Sequence, residues 1–216
     1  MLILRVNPEK PDKESINVAA DAIRRGDLVI FPTETVYGLA ADALCETAVQ
    51  KVFDAKGREE RNPLPVQIPD VSELSEVARQ IPEAAFALAA RFWPGPLTLV
   101  LFKNKRISRL VTGGTDKIGV RIPNHPVALT LLRNVARPIV ATSANLSGQP
   151  PAVTAEQAAE PLKQHVAIVL DAGRCQISVP STVLDITVQP ARILRLGAIS
   201  REAIESVIGS CEFSEQ

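Results

Sequence analysis

The sequence predicts a single α/β domain, in which helices pack on a large, twisted, mixed β-sheet. The first reason is that short apolar runs alternate with amphipathic helical stretches along the whole chain. The second is length, because 216 residues are enough for one large hydrophobic core. No repeat, low-complexity tract or linker interrupts residues 1–209, so we expect one domain there and a polar tail over Ser210–Gln216.

The predicted elements follow from this alternation. Short apolar runs bounded by polar or turn residues predict strands at Leu2–Val6, Leu28–Phe31, Leu64–Ile68, Leu97–Phe102, Ile118–Ile122, Pro138–Thr142, Val166–Leu170, Thr182–Ile186 and Ile193–Arg195. Helical periodicity predicts helices near Glu14–Arg25, Glu46–Lys56, Val71–Arg79, Pro82–Phe92, Pro126–Asn134, Ala155–Leu162 and Arg201–Ile208. In the first helix, Val18, Ala19, Ala22 and Ile23 share one face, and Gly26 provides a natural stop.

Composition excludes several classes of protein. Hydrophobic residues make up 46% and charged residues 22% of the chain, which is ordinary globular composition. Basic and acidic residues balance at 24 each, whereas proteins that grip nucleic-acid backbones usually carry a basic excess. The three cysteines form no C-x-x-C pair, so we expect neither a disulfide framework nor a zinc site. No signal peptide and no run of ~20 apolar residues is present, so we expect a cytoplasmic protein without a membrane partner.

The common catalytic and phosphate-binding motifs are missing. The chain has no G-x-x-x-x-G-K-[ST] loop, no strand-linked G-x-G-x-x-G and no G-x-S-x-G elbow. Its two histidines, His125 and His165, are isolated, and no H-E-x-x-H or Cys/His cluster predicts a dedicated metal centre. The informative residues are therefore the polar groups that follow apolar strands.

The first two polar loops each have a structural and a functional interpretation. In Leu28–Leu39, Thr33 and Thr35 follow a hydrophobic strand, where they either cap a strand–turn–helix connection or face a ligand at the strand end. Lys56 and Arg58 lie at a helix end. They either complement the helix dipole or bind phosphate and carboxylate groups.

Two further loops leave similar alternatives open. The dense hydroxyl and amide groups of Thr142–Asn145 can form a phosphate nest or satisfy their own turn. Arg121 and Arg195 each interrupt a hydrophobic strand. A buried arginine must snorkel to solvent, meet an internal acid such as Asp185, or face a ligand cavity.

Taken in order, these segments resemble the YrdC/TsaC family of threonylcarbamoyl-adenylate synthases, from about Pro11 to Ile208. The similarity rests on motifs that follow one another along the chain: PTETVYGL (32–39), K-x-R (56–58) with NPL (62–64), FWPGPLT (92–98), GVRIPNHP (119–126), SAN (143–145), STVLD (181–185), and ILR (193–195) with Gly197. None of these pieces is specific alone, but their joint occurrence in order is.

The resemblance implies a YrdC-like sheet with an open, locally basic cavity. It also implies a nucleotidyltransferase that converts L-threonine, bicarbonate and ATP, the last with Mg²⁺, into threonylcarbamoyl-adenylate and pyrophosphate. Partner transferase components would then use the product to modify adenosine in tRNA. In this reading the chain is the short form without a second domain.

The resemblance also assigns roles to residues. Lys56, Arg58, Ser143 and Asn145 match the family's K-x-R/S-x-N tetrad, and we expect Lys56 and Arg58 to stabilise charge during catalysis. The residues expected to bind threonine or bicarbonate are Thr33, Thr35, Gln67, Arg121 and Ser181. The residues expected to bind ATP are Lys56, Arg58, Asn62, Ser143, Asn145 and Arg195.

Four positions depart from the family pattern. Gln67 replaces a histidine associated with threonine contact, and glutamine cannot carry charge. Lys117 replaces a threonine near the nucleotide, Pro151 a serine, and Leu196 the proline of ILRPG. These changes leave open a diverged paralogue with weak synthase activity or altered amino-acid preference.

Two other functions are compatible with the resemblance. One is an RNA-binding or ribosome-maturation factor. Zero net charge and 4% aromatic residues argue against extensive RNA contacts and leave room only for weak binding. The other is carbamoyl transfer in hydrogenase maturation, which needs zinc-binding and acyl-phosphate-handling segments that the sequence lacks.

Overall fold

A computed structural model describes residues 1–214 and confirms the predicted fold class. Within residues 1–214, twelve strands form one mixed sheet. In chain order they are β1 (Leu2–Arg5), β2 (Leu28–Phe31), β3 (Gly38–Asp42), β4 (Val66–Gln67), β5 (Ala78–Arg79), β6 (Leu97–Lys103), β7 (Lys117–Arg121), β8 (Ile139–Ser143), β9 (Val166–Asp171), β10 (Thr182–Asp185), β11 (Ala191–Arg195) and β12 (Cys211–Phe213).

The sheet order is β1-β9-β2-β3-β8-β4-β7-β6-β10-β11-β12, with β5 paired to the end of β6. Strand β9 runs parallel to β1 and β2, whereas β3 is antiparallel to β2 and β8. In the other half, β7 is antiparallel to β6, and β10 is parallel to β6. Strands far apart in the chain thus become neighbours in the middle of the sheet.

Among the described residues, seven α-helices cover the two faces of the sheet: α1 (Lys13–Arg24), α2 (Glu46–Lys56), α3 (Leu74–Val77), α4 (Glu83–Phe92), α5 (Pro126–Val135), α6 (Ala155–Ala159) and α7 (Arg201–Ile208). Alternate residues of β2 belong to different cores, as the two-residue period of a strand requires. Val29 and Phe31 pack with α1 and α5, whereas Leu28 and Ile30 join a larger core that includes residues of α2, α4, α6 and α7.

The structure differs from the predicted elements at several points. The connection after β2 leads into strand β3, not into a helix. This Gly-Leu-Ala-Ala-Asp segment was missed because alanine and glycine are poor strand formers in isolation. The predicted helix Val71–Arg79 is broken into a 3-10 turn, one helical turn and β5. In α1, Val18 is exposed, and Ile16 lies in the core with Ala19 and Ile23.

The segment predicted as a polar tail also differs. Within Ser210–Gln216, strand β12 pairs in parallel with β11, and residues 215–216 lie outside the described residues. Cys211 is buried, and the guanidinium of Arg201 lies 5.6 Å from the ring centre of Phe213. These contacts stabilise a strand in a segment whose polar composition predicts an irregular tail.

The loop that follows α2 packs on a glycine turn that precedes β7. Leu64 N donates to Val111 O at 2.8 Å, and a Cβ added to Gly113 would lie 2.4 Å from the backbone oxygen of Arg61. Gly113 and Gly114 both have positive φ, at +59° and +81°, but a Cβ at Gly114 would meet nothing within 4 Å. The first glycine is therefore required by close approach as well as by backbone conformation.

This pair of glycines provides a matched test. Gly114→Ala should lower the free energy of unfolding by about 1 kcal/mol, the cost of a left-handed alanine. Gly113→Ala should cost at least about 2 kcal/mol more, because its methyl group collides with backbone that cannot rotate away. Urea denaturation measures both. Equal losses would mean that the loop does not rest on Gly113.

Candidate active site

A cavity of about 500 Å³ lies over the middle of the sheet. Its floor comes from three neighbouring strands, because alternate residues of a strand face the same side. Arg121 on β7, Thr98 on β6 and Ser181 just before β10 line it. The residues expected at the site that line this cavity are Thr33, Thr35, Arg58, Gln67, Arg121, Ser143, Ser181 and Arg195.

Lys56, Asn62 and Asn145 do not line the cavity. Lys56 is buried, with 2% of its surface exposed, beneath the turn that carries Ser143. Asn145 is buried as well, whereas Asn62 is exposed on the loop after α2. The structure thus brings most of the expected residues together and puts these three beside or behind the cavity wall.

The hydroxyl groups of Thr33 and Thr35 stabilise the loop after β2, and both residues also line the cavity. The hydroxyl of Thr33 closes its own turn, since it donates to Val36 O at 2.7 Å and accepts from the backbone N of Thr35 at 3.2 Å. The Thr35 hydroxyl lies 2.9 Å from that of Thr33 and accepts from Arg121 at 3.0 Å. Thr33 therefore holds the turn, and Thr35 joins it to the arginine.

Arg121 is anchored by a buried acid, Glu34, and not by Asp185. Its Nη2 donates to Glu34 Oε1 at 2.7 Å, and its Nε donates to the carbonyl oxygen of Gly95 at 3.1 Å. The side chains of both partners are less than one-tenth exposed. Within residues 1–214, Nη1 donates no hydrogen bond and Glu34 Oε2 accepts none. A neutralised, oriented arginine with one free nitrogen suits a carboxylate ligand.

Asp185 pairs instead with Lys117. Lys117 Nζ donates to Asp185 Oδ2 at 2.8 Å, and both residues line the cavity. The other oxygen, Oδ1, accepts from the backbone N and the hydroxyl of Thr187 at 2.8 and 2.6 Å. Burial raises the pKa of the Asp185 carboxyl, but the bonds from Lys117 and Thr187 outweigh it and leave that pKa below its usual value.

The buried side chain of Lys56 stabilises the turn formed by Ser143, Ala144 and Asn145. Its Nζ donates to the carbonyl oxygens of Ser143, at 2.6 Å, and of Asn145. The backbone N of Ser147 donates in return to Lys56 O at 2.9 Å. Burial, and then repulsion from Arg58, lower the pKa of Lys56 from 10.5 to about 8.

Arg58 and Arg195 face the cavity with only backbone oxygens and a hydroxyl group as partners. Arg58 donates to the carbonyls of Asn62 and Pro63 at 3.2 and 3.1 Å, so Asn62 acts here through its backbone. Arg195 donates to the carbonyl and hydroxyl of Ser181 at 2.8 and 3.1 Å. Burial lowers the pKa of both arginines, and for Arg195 the nearby charges of Arg121 and Arg58 lower it further.

These contacts divide the cations of the site into two kinds. Arg121 and Lys117 are neutralised by Glu34 and Asp185. Lys56, Arg58 and Arg195 have no carboxylate within salt-bridge distance in the described part of the chain. Buried cations without counter-charge are costly unless a ligand supplies it. The unpaired set therefore defines a site for a multiply charged anion.

Several cavity residues were missed by the sequence analysis as members of the site. The hydroxyl of Thr98 lies 2.9 Å from that of Ser181, and the hydroxyl of Tyr37 donates to Gly173 O at 2.6 Å and so fixes the loop beside the cavity. Thr98 lies in the motif FWPGPLT and Tyr37 in PTETVYGL, so membership of these motifs is the feature of the sequence that could have identified them as site residues. Gln67 lines the cavity as expected, and its buried Oε1 accepts no hydrogen bond from any described residue.

Two other properties bear on the site. Over residues 1–214, no group of three or more His, Cys, Asp or Glu side chains could hold a metal ion. No helix in that range is long and apolar enough to span a membrane.

The fold and the site define a class of protein: an α/β protein whose cavity is suited to a polyanion next to a small carboxylate ligand. The comparisons are more specific. The model of the Sua5/YciO/YrdC family, described as "Telomere recombination", matches residues 21–197, and the chain belongs to this family.

Named relatives agree with this assignment. The chain is 48% identical over 201 residues to a threonylcarbamoyl-AMP synthase of Pyrococcus abyssi, covering 93% of this chain and 59% of that protein. It is 46% identical over 192 residues to the enzyme of the same name from Bacillus subtilis, covering 88% and 56%. A crystal structure of P. abyssi Sua5 complexed with L-threonine superimposes with a TM-score of 0.97 at 46% identity, covering 99% of this chain and 63% of that one. The chain thus spans less than two thirds of these relatives.

The lowered pKa of Lys56 predicts a specific pH dependence of stability. Between pH 8 and pH 10 the folded lysine loses its proton while the unfolded lysine keeps it. The unfolded chain then binds more protons, and stability rises with pH. Relative to Lys56→Met, the wild-type free energy of unfolding should therefore increase by on the order of 2 kcal/mol across this window. Urea titrations at several pH values measure this difference in the free energy of unfolding. A difference that does not change with pH would show that the pKa of Lys56 is not lowered in the folded protein.

Proposed function

We propose that this chain synthesises L-threonylcarbamoyl-adenylate from L-threonine, bicarbonate and ATP, with release of pyrophosphate. The observation that carries the proposal is the cavity in which unpaired cations lie beside the neutralised Arg121–Glu34 pair. The names of the P. abyssi and B. subtilis relatives support the same reaction.

The nucleotide phosphates are assigned to the unpaired cations. Arg58 can exchange its bonds to loop carbonyls for bidentate bonds to phosphate oxygens, which are stronger because both partners are charged. Arg195 reaches the same space from β11, and the hydroxyl of Ser143 lines it. Lys56 adds charge from behind the wall and holds the turn of Ser143, so its contribution is both electrostatic and positional.

Threonine is assigned to the end of the cavity that holds Arg121. The free Nη1 of Arg121 suits the substrate carboxylate, and the hydroxyls of Thr35 and Ser181 can bond to its polar groups. The unpartnered Oε1 of Gln67 adds an acceptor on the same wall. L-threonine bound to P. abyssi Sua5 supports a small amino-acid ligand for this fold.

The reaction then follows from proximity and charge. The neutral amine of threonine attacks bicarbonate, which gives a carbamate and water. A carbamate oxygen attacks the α-phosphorus of ATP, and pyrophosphate leaves with the electrons of the broken P–O bond. Arg58 and Arg195 stabilise the negative charge that develops on the phosphoryl oxygens, and the shared cavity supplies effective molarity.

Mg²⁺ belongs to this proposal as the companion of ATP. The donor set fits an ion that arrives with the nucleotide, because the cavity within residues 1–214 offers one carboxylate, Asp185, already bonded to Lys117. When bound, Mg²⁺ would neutralise charge on the phosphates.

Use of the product also remains a proposal. Threonylcarbamoyl-adenylate would be passed in the cytoplasm to transferase components that modify tRNA. The rival role of RNA binding finds little support, because Arg58 and Arg195 line a cavity and Lys56 is buried behind its wall, so these cations do not form a surface stripe.

Pyrophosphate release tests the reaction directly. Release from ATP should require both threonine and bicarbonate, since the nucleophile is their product. Arg58→Ala should reduce kcat/KM by at least ~100-fold, as expected for loss of a group that stabilises transition-state charge. The readout is a coupled pyrophosphate assay, with mass spectrometry of the adenylate.

Arg61→Ala is the matched control, because Arg61 lies on the same loop but its side chain is exposed and pairs with Glu59. Its activity should equal that of the wild type. Pyrophosphate release that continues without threonine would overturn the proposed function.

A further inference from the structure

The cavity floor has two rows of side chains that face the ligand. Strand β7 presents Lys117, Gly119 and Arg121, and the chain around β10 presents Val183 and Asp185, all of which line the cavity. Since a strand rises about 3.3 Å per residue, Lys117 lies about 13 Å along β7 from Arg121. Asp185 is opposite Val100, which is opposite Gly119, so the Lys117–Asp185 pair extends from the middle of the floor to the end away from Arg121.

The floor between these two ends is apolar and flat. Gly119 has no side chain, Val100 lies opposite it on β6, and Val183 lies opposite Thr98 on β10. Leu194, on β11, adds an apolar wall. A surface of this kind suits the face of a planar heterocycle and offers nothing to a phosphate.

The ion pair at the far end is also a poor phosphate site. The charge of Lys117 is cancelled by Asp185, and a phosphate would be repelled by that carboxylate. The unpaired cations that suit phosphates include Arg195, whose pKa is lowered first by burial and then by the charges of its neighbours Arg121 and Arg58. The base of the nucleotide therefore points away from these cations, toward Lys117 and Asp185.

The pair presents one acceptor and one donor side by side. Thr187 occupies Asp185 Oδ1 with two hydrogen bonds, so Oδ2 is the oxygen that faces Lys117. The side chain of Lys117 is 37% exposed and can turn, whereas that of Asp185 is 7% exposed and held. Adenine offers the complementary edge, an amino donor next to a ring-nitrogen acceptor, whereas a 6-oxopurine offers an oxygen in place of the amino group.

We propose that Lys117 and Asp185 read the edge of the nucleotide base, with Asp185 Oδ2 accepting from the 6-amino group of adenine and Lys117 donating to a ring nitrogen. This inference rests on the proposed function in that ATP is the nucleotide. It makes the departure at Lys117 a determinant of base selectivity.

Calorimetric binding of ATP, inosine triphosphate and pyrophosphate, without threonine or bicarbonate, tests the inference. Wild-type protein should prefer ATP over inosine triphosphate by at least ~10-fold, the value of one well-placed hydrogen bond. In Asp185→Asn, Thr187 still requires an oxygen, so the amide presents NH₂ to the base. The preference should fall by at least ~10-fold.

Lys117→Thr is the second variant, because it changes a partly exposed side chain and because the ratio of ATP to pyrophosphate affinity does not depend on the folded fraction. ATP binding should weaken ~10-fold while pyrophosphate binding stays unchanged. Lys163→Thr, which removes the lysine of an exposed pair with Glu160, is the control and should bind all three ligands like the wild type.

Two results would overturn the inference. One is an unchanged ratio of ATP to inosine triphosphate affinity in Asp185→Asn, and the other is an equal loss of ATP and pyrophosphate binding in Lys117→Thr, which would make Lys117 a phosphate ligand. Ratios of dissociation constants do not depend on the folded fraction. Because the assay needs no turnover, failure of the synthase reaction would be seen separately, in pyrophosphate release by the wild type.

Discussion

The cavity depends on one electrostatic constraint: Lys56, Arg58 and Arg195 are held in or near a buried space without carboxylate partners. Such an arrangement costs stability in the absence of a ligand, and the lowered pKa of each of the three side chains has burial as its first cause. Backbone carbonyls compensate only in part. A polyanion would restore the missing charge, so ligand binding and local stability are coupled.

Two buried acids neutralise the remaining cations of the site. Glu34 neutralises Arg121, and Asp185 neutralises Lys117, each at less than 3 Å. Without them all five cations would repel one another and attract phosphate indiscriminately. With them the cavity has a neutralised arginine at one end, unpaired arginines beside it and a neutralised lysine at the other end, which is the layout on which the proposed ligand positions rest. Mixed strand order makes this layout possible, because β10 lies next to β6 in the sheet although β7, β8 and β9 come between them in the chain.

Much of this arrangement could be predicted from the sequence, for identifiable reasons. Strands such as Leu28–Phe31 and helices such as Glu46–Lys56 follow from strong apolar patterns, and the predicted bounds of both match the structure. The site residues came from motifs at strand ends. Strand β3 was missed because its alanines carry helical propensity, and tertiary pairing overrode it. The pairing of Glu34 with Arg121 joins residues 87 positions apart, and local pattern contains no information on such a contact.

The most direct measurement is a crystal structure with L-threonine and an ATP analogue that cannot be cleaved between the α- and β-phosphorus atoms. We predict phosphate oxygens on Arg58 and Arg195 and the threonine carboxylate on Arg121. Phosphates bound at Lys117, or an amino acid bound away from Arg121, would contradict it.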